Sequence, residues 1–378
     1  MNYGLILEWL IKGFVLAMLL LGGFAYLTLY ERKVLARIQA RIGPNRAGPW
    51  GILQPIADAI KLVFKEELIP AQADKLIFVL APVITVVPAV VITAVVPWGP
   101  DLNIFGYKLT LYISDINIGV LYMMSVASIA IYGIVLSGWS SNNKYAMLGG
   151  IRSSAQMVSY EIALGLSFVA AILLAGTMRM VDIVAAQKDM WFGVLQPVGM
   201  VIFLIATLAE VNRAPFDMPE AEQELTAGYH TEYSGMKFAL LFMAEYVKMI
   251  AICAIAATLF FGGYREFWFL SNTVFSVDRT PWLGPVYIFA KVFILLFGMI
   301  WVRATFPRIR YDRLMDFGWK VLLPLSLAAI FITAVGIVLE KQVDKLLIWS
   351  VPVASLLAAG IAVAMIDRSL RRKDHARR

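Results

Sequence analysis

The sequence predicts an all-α polytopic membrane protein with about nine transmembrane helices. Three observations carry this. Hydrophobic residues form 60% of the 378-residue chain and only 16% are charged, against roughly 25% in soluble domains. Mean hydropathy is +0.76. Nine apolar stretches are each long enough to span, since about 20 residues cross the hydrocarbon core. They lie near 5–30, 76–97, 115–137, 154–175, 193–211, 237–262, 284–303, 318–339 and 346–366. Finally, the basic residues segregate. With the first loop taken as cytoplasmic, 23 Lys/Arg fall on that side and eight on the other, while Lys248 and Lys291 lie inside helices. The positive-inside rule then puts the N-terminus outside and the C-terminus in the cytoplasm.

Residues 1–378 read as a single membrane domain. The first apolar run lacks a basic leader segment and continues to Tyr30, so it reads as a spanning helix and not a cleavable signal. The first cytoplasmic loop, 31–75, opens with the turn-forming "GPNRAGP" and continues into "WGILQPIADAIKLVFKEE". Ile52/Leu53, Ile56, Ala59/Ile60 and Val63/Phe64 recur at helical spacing, with Gln54, Asp58, Lys61 and Lys65 on the other side. Pro55 is tolerable only near the first turn. Such an interfacial helix serves as a surface anchor or as one wall of an entrance for a lipid-soluble ligand. A second cytoplasmic loop, 210–236, holds Glu210, Asp217, Glu220, Glu222, Glu224 and Glu232 against Arg213, in a chain of net charge +7. Glu220, Glu222 and Glu224 also suit the start of a short helix after Pro219. Tyr229, His230 and Tyr233 suit contact with a docked partner or a planar headgroup. The loop 303–320 is basic, with Arg303, Arg308, Arg310 and Arg313, and the tail 367–378 is basic too. These charges enforce topology or form a docking surface for an acidic partner.

The single cysteine, Cys253, excludes an intrachain disulfide, and two histidines cannot build a haem or zinc site. Neither a dinucleotide fingerprint nor a phosphate loop occurs. No metal or nucleotide site is expected in this chain, and nothing points to nucleic acid. No internal repeat supports an inverted-repeat transporter.

Ionisable residues inside spanning helices are costly and read as functional. Glu161 lies about eight residues into the expected fourth helix, roughly 12 Å deep. Glu245 lies about as deep in the sixth, with Lys248 on the same helical face. Glu210 ends the fifth helix. Together these acids suggest a polar path descending from the acidic loop, in which carboxyls withdrawn from water exchange protons or respond to nearby charge. Alternatively, Glu245 and Lys248 neutralise each other and glue helices together. Lys291, midway along the seventh, is expected to pair with a carboxylate that the sequence does not identify.

Four segments carry a resemblance: "YERKVLARIQARIGPNRAGPWGILQPIADAIKLVFKE", "SGWSSNNKYAMLGGIRSSAQMVSYE", "AEVNRAPFDMPEAEQELTAGYHTEYSGMKFALLFMAEY" and "VRATFPRIRYDRLMDFGWK". In order and content the chain resembles the quinone-site membrane subunits of respiratory complex I, the bacterial NADH-quinone oxidoreductase and its mitochondrial counterpart. The resemblance implies that Glu31, Arg32, Arg41, Asp58 and Lys61 line or guard a quinone path. It implies a proton path or coupling chain of Glu161, Glu210, Asp217, Glu220, Glu222, Glu224, Glu232, Glu245 and Lys248. Some family members carry a third-helix Glu where Ser128 stands here. Arg213, Tyr229, His230, Arg303, Arg308, Arg310 and Arg313 are expected to dock partners. Quinone would be the substrate, with FMN and iron–sulfur clusters in partner subunits. Those partners would be the cytoplasmic quinone-site and iron–sulfur subunits, small membrane subunits and antiporter-like subunits, together with membrane lipid. The location implied is the bacterial inner membrane. Two other classes stay open: the related subunit of a membrane-bound hydrogenase, and a stand-alone cation/proton antiporter.

Overall fold

The computed structural model describes residues 3–376 apart from 105, 219–221, 268–269, 271–273 and 343–347. At 3–5, 104, 107, 222–223 and 365–376 it describes the backbone alone. Among the described residues, seven helices are long and apolar enough to cross a membrane. They are α1 (Tyr3–Ile38), α3 (Lys75–Ile92), α4 (Gly119–Ser140), α5 (Lys144–Ala175), α10 (Gly235–Phe260), α11 (Leu283–Thr305) and α13 (Leu323–Gln342). Shorter apolar helices stand at the other two expected places: α8 (Pro197–Glu210) and the first part of α14 (Ser350–Ala376). The fifth span is short because the chain breaks at Gln196 (φ −130°, ψ 62°) between α7 (Phe192–Leu195) and α8. Pro197 then opens α8 in its first turn, where its missing N–H costs nothing.

Three helices exceed their apolar stretches. α1 continues through Glu31 to Ile38, because "ERKVLARI" is polar but made mostly of good helix formers. α5 starts at Lys144, capped by Asn143, whose side chain accepts from Tyr145 N at 2.9 Å. Glu161 therefore stands near the middle of α5. The backbone of α14 runs on into the basic tail. The interfacial helix is α2 (Gln54–Val63), with Pro55 in its first turn as required. It exposes Ile56, Ile60 and Val63, with Phe64 just beyond its end.

α10 is the axis of the bundle, touching α1, α3, α8 and α11. Every residue from Val247 to Phe260 except Ile250 is buried, as expected of a helix that is apolar on all sides but for Lys248. α3 and α4 pack closely because Gly133 has no side chain; a Cβ there would lie 2.8 Å from Thr85 N. The first, acidic and basic loops gather at one end of the bundle. There the Ser234 hydroxyl donates to Glu66 O at 3.1 Å, Ile309 N donates to Pro215 O at 3.0 Å, and Lys237 pairs with Glu67. A small antiparallel hairpin, β1 (Leu102–Ile104) with β2 (Tyr107–Leu109), lies between α3 and α4 in sequence. The remaining short helices are α6 (Met180–Ala186), α9 (Glu222–Leu225) and α12 (Tyr311–Phe317).

Candidate functional site

The site is built where α8 ends. The Gln156 amide, on α5, donates to Ala209 O at 2.8 Å and to Phe216 O at 2.9 Å, clamping both ends of the turn between them. Asn212, in left-handed backbone (φ 54°), donates to the Ser153 hydroxyl at 2.8 Å. This turn sends Arg213 inward, leaving it 7% exposed. A second turn, Gly228–His230, approaches α5 through Gly149, where a Cβ would lie 2.6 Å from Gly228 Cα. It brings Tyr229 and His230 to the same place.

Two ionic clusters result. In the first, Arg213 lies 3.5 Å from Glu31 of α1 and 3.5 Å from Glu245 of α10, over the Tyr246 ring at 4.4 Å. Glu31 also pairs with Arg303 of α11. Glu245 Oε1 meets His230 Nε2 at 3.2 Å and accepts from the Tyr229 hydroxyl at 3.3 Å. In the second, one turn along α10, Lys248 pairs with Glu210 of α8 at 2.9 Å and donates to the Glu210 main-chain oxygen at 3.2 Å. Lys248 thus takes Glu210 as its counter-ion, while Glu245 belongs to the first cluster. Ser128 of α4 donates to Glu161. A cavity of about 30 Å³ is lined by Glu161, Glu210, Lys248 and Thr207 among apolar side chains. A water needs about 10–15 Å³ measured this way, so roughly two waters fit between the three charged groups.

The residues expected along a quinone path separate. Glu31 is buried in the first cluster. Arg32 pairs with Asp58 at 2.7 Å, and Gln54 donates to Asp58 at 3.0 Å, tying α1 to α2. Arg41 and Lys61 are exposed, with Arg41 donating to Gln39 at 2.8 Å. Beside the Arg32–Asp58 tie, an open apolar groove of about 310 Å³ runs between Ala25 and Tyr26 of α1 and the Ile56, Ile60, Val63 and Phe64 side of α2.

The rest of the acidic loop is engaged at its rim. Asp217 pairs with Arg308 at 2.9 Å, Glu224 with Arg152 at 3.0 Å, and Glu232 accepts from Asn143 at 2.6 Å. Glu220 lies outside the described residues, and Glu222 is described only as the backbone start of α9. The set expected at a docking surface divides too. Arg213, Tyr229 and His230 are buried and Arg303 is turned onto Glu31, because buried carboxylates must be met by cations or donors. The side chains of Arg213, Tyr229 and His230 therefore lie beneath that surface, whereas Arg303 stays 35% exposed. Arg308, Arg310 and Arg313 remain exposed. Tyr233 also faces inward, stacked on Phe78 at 4.1 Å, and burial pushes its phenol up to about 12. Sequence reasoning missed Gln156, whose signal was a lone amide within the fourth span. Lys291, expected to meet a carboxylate, instead donates to three main-chain oxygens, of Phe261, Gly263 and Arg265, at 2.6, 2.9 and 2.6 Å.

A family model described as NADH dehydrogenase matches residues 11–334. An H-type subunit of the NADH-quinone oxidoreductase of Geobacter metallireducens is 51% identical over 310 residues, covering 82% of this chain and 90% of its own. Its counterpart in Thermomicrobium roseum is 48% identical over 339 residues, covering 87% and 95%. That of Frankia alni is 45% identical over 361 residues, covering 95% and 80%. The chain therefore belongs to the NADH dehydrogenase family, on the branch of the H-type subunits of NADH-quinone oxidoreductase, as a membrane component of that multisubunit enzyme.

Proposed function

We propose that this chain admits quinone from the bilayer and converts its reduction into proton movement. The observation that carries the reading is a line of polar residues that begins beside an open apolar groove. The groove lies between α1 and α2 and is lined by apolar side chains that suit contact with the bilayer. Arg32–Asp58 stands at its side and Glu31, next along α1, enters the first cluster. The line continues through Arg213 and Glu245 to Lys248, Glu210, the small cavity and Glu161. Glu245 and Lys248 share one face of α10 and bridge the two clusters. An isoprenoid tail suits the groove, and a ring headgroup would travel past it toward the polar line. Quinone takes up two electrons and two protons on reduction. The electrons come from FMN and iron–sulfur clusters in partner subunits, and this chain's own residues hold and move protons. Waters in the cavity would join Glu161 to Glu210.

The gathered loops would face the cytoplasm of a bacterial cell with this chain in its inner membrane. There the exposed Arg308, Arg310 and Arg313 offer a basic surface to the cytoplasmic subunits. Of the three classes open from the residues, family membership favours the quinone enzyme over hydrogenase and antiporter. Photoaffinity labelling of the intact complex with a quinone analogue should mark α1, α2 or α10; label confined to other subunits would refute the binding role. Glu161→Gln and Glu245→Gln should each lower both quinone reduction and proton pumping, and normal values in both would refute the coupling role.

A further inference from the structure

Glu161 is met unlike the other acids of the polar line. Glu31 pairs with Arg303, and Glu210 with Lys248 at 2.9 Å. Among the described residues Glu161 of α5 forms no ion pair, and its hydrogen-bonding contact is the Ser128 hydroxyl of α4. The same hydroxyl lies 3.0 Å from Met124 O, one turn back on α4. A hydroxyl has one proton to give and two lone pairs with which to receive. With Glu161 ionised, Ser128 donates either to Glu161 or to Met124 O, and the other contact goes without a proton. With Glu161 protonated, its O–H donates to Ser128 Oγ while Ser128 donates to Met124 O, and both contacts are hydrogen bonds at once. Charge points the same way. The cavity of about 30 Å³ is walled by two carboxyl groups, Glu161 and Glu210, and by a single ammonium, Lys248. Two carboxylates would leave one negative charge in excess, where an uncompensated ion is costly. One proton on either acid restores the balance. Lys248 holds Glu210 by both its carboxylate and its main-chain oxygen, so the proton belongs on Glu161.

We propose that Glu161 is the acid that carries a proton in the resting subunit, and that Ser128 reverses its hydrogen bond as that proton leaves and returns. On departure the O–H bond of Glu161 breaks, cavity water carries the proton, and an O–H bond forms on the Glu210 carboxylate. This transfer deepens the proton-path reading above and rests on it. Ser128 then turns its own proton from Met124 O to the Glu161 carboxylate. The hydroxyl is an acceptor in one state and a donor in the other, and no heavy atom needs to move. The cavity keeps one carboxylate and one ammonium throughout, so neither state holds an uncompensated charge. What changes is the place of the negative charge, which passes from α8 to α5. Ser128 acts through Glu161 and is a positioning residue. The charged groups that face Glu161 across the cavity are Glu210 of α8 and Lys248 of α10, with the Thr207 hydroxyl beside them. α4 contains no charged residue and contributes the Ser128 hydroxyl alone.

Infrared spectroscopy of the intact resting complex, recorded while heavy water replaces water, tests this. A protonated carboxyl group has a carbonyl band that moves to lower frequency on the exchange, and a carboxylate has none. The band should be present in the wild type, absent from Glu161→Gln, displaced to higher frequency in Ser128→Ala and back in place in Ser128→Thr. The same carboxyl signal in wild type and Glu161→Gln overturns the placing of the proton. A Glu161 band that Ser128→Ala leaves unmoved overturns the part given to Ser128. The Ser128 variants keep Glu161 itself, so they can be read even if Glu161→Gln fails to assemble. Thermal denaturation of the complex gives a second reading. Glutamine reproduces the shape and the hydrogen bonds of a protonated Glu161, so Glu161→Gln should leave the midpoint in place. Glu210→Gln strips Lys248 of its carboxylate and should lower it. A Glu161→Gln midpoint that rises, or that falls as far as that of Glu210→Gln, overturns the proposal. Loss of pumping in Glu161→Gln without the band would sink the placing of the proton alone. The band as expected, with normal turnover and pumping in Glu161→Gln and Glu245→Gln, would instead sink the proposed function beneath it.

Discussion

Lys291 and Arg213 are both cations buried in a membrane bundle, at 4% and 7% exposure, and they are met in opposite ways. Lys291 of α11 reaches the chain just past the far end of α10, where its ammonium donates to three main-chain oxygens and sits 4.8 Å from the Trp191 ring centroid. Those oxygens follow the C-terminus of α10, which attracts a cation through the helix dipole. None of them changes charge. Arg213 is held between two carboxylates, Glu31 and Glu245. A buried ion on main-chain dipoles is a fastener, whereas carboxylates are groups that can gain or lose a proton. The far end of α10 therefore fastens the fold, and its near end gathers the titratable groups.

Four substitutions break or sharpen this contrast. The largest effect on stability belongs to Lys291→Met, which strands three carbonyls and should cost about 3 kcal/mol. A lower midpoint in thermal denaturation of the complex, with protons per electron unchanged, fits a fastener; a changed ratio at normal stability would break the comparison. Lys248→Met should act the other way round. It leaves Glu210, whose side chain is 6% exposed, without its cation, and turnover should fall about tenfold, a barrier increase of about 1.4 kcal/mol. Lys248→Arg should recover most of that loss. Ser128→Ala removes the hydroxyl that meets Glu161, worth about 1 kcal/mol, and should slow turnover roughly threefold to fivefold. Ser128→Thr should restore it, and failure of this rescue would assign Ser128 to packing. Lys320→Ala breaks a pair with Asp316 whose side chains are 69% and 62% exposed. Exposed pairs of this spacing are worth about 0.3–0.5 kcal/mol, so neither turnover nor midpoint should move measurably.

Much of the fold was legible because hydropathy and helical period are local properties. The interfacial helix was readable down to the place of Pro55 in its first turn. Helix ends were less so. Hydropathy stops at Tyr30, whereas the backbone of α1 continues to Ile38, since helix formation needs hydrogen bonds and tolerates charge. Glu161, Glu210 and Glu245 stood out as acids in or against apolar runs, and they line the two clusters. Their partners did not stand out. Glu31 meets Arg213 from another part of the chain, and only tertiary packing brings them together. The aromatic and histidine content of the Tyr229–Tyr233 segment reads as a surface for partners. The structure turns it inward because Glu245 needs donors and Gly149 leaves the room. Ser128, read from the sequence as the place of a missing carboxylate, instead supplies a hydroxyl to the carboxylate opposite.

The Gln156 clamp has a consequence for how this subunit tolerates mutation. Two of its acceptors, Ala209 O and Phe216 O, are main-chain atoms. Side chains at 209 and 216 can therefore change without deleting the oxygens that hold the turn, whereas no other residue at 156 offers the same amide at the same reach. A saturation scan should find an intolerant position on α5, facing a more permissive turn whose conduct it governs. The residue that aims Arg213 would then be inherited more strictly than the residues that immediately flank the turn.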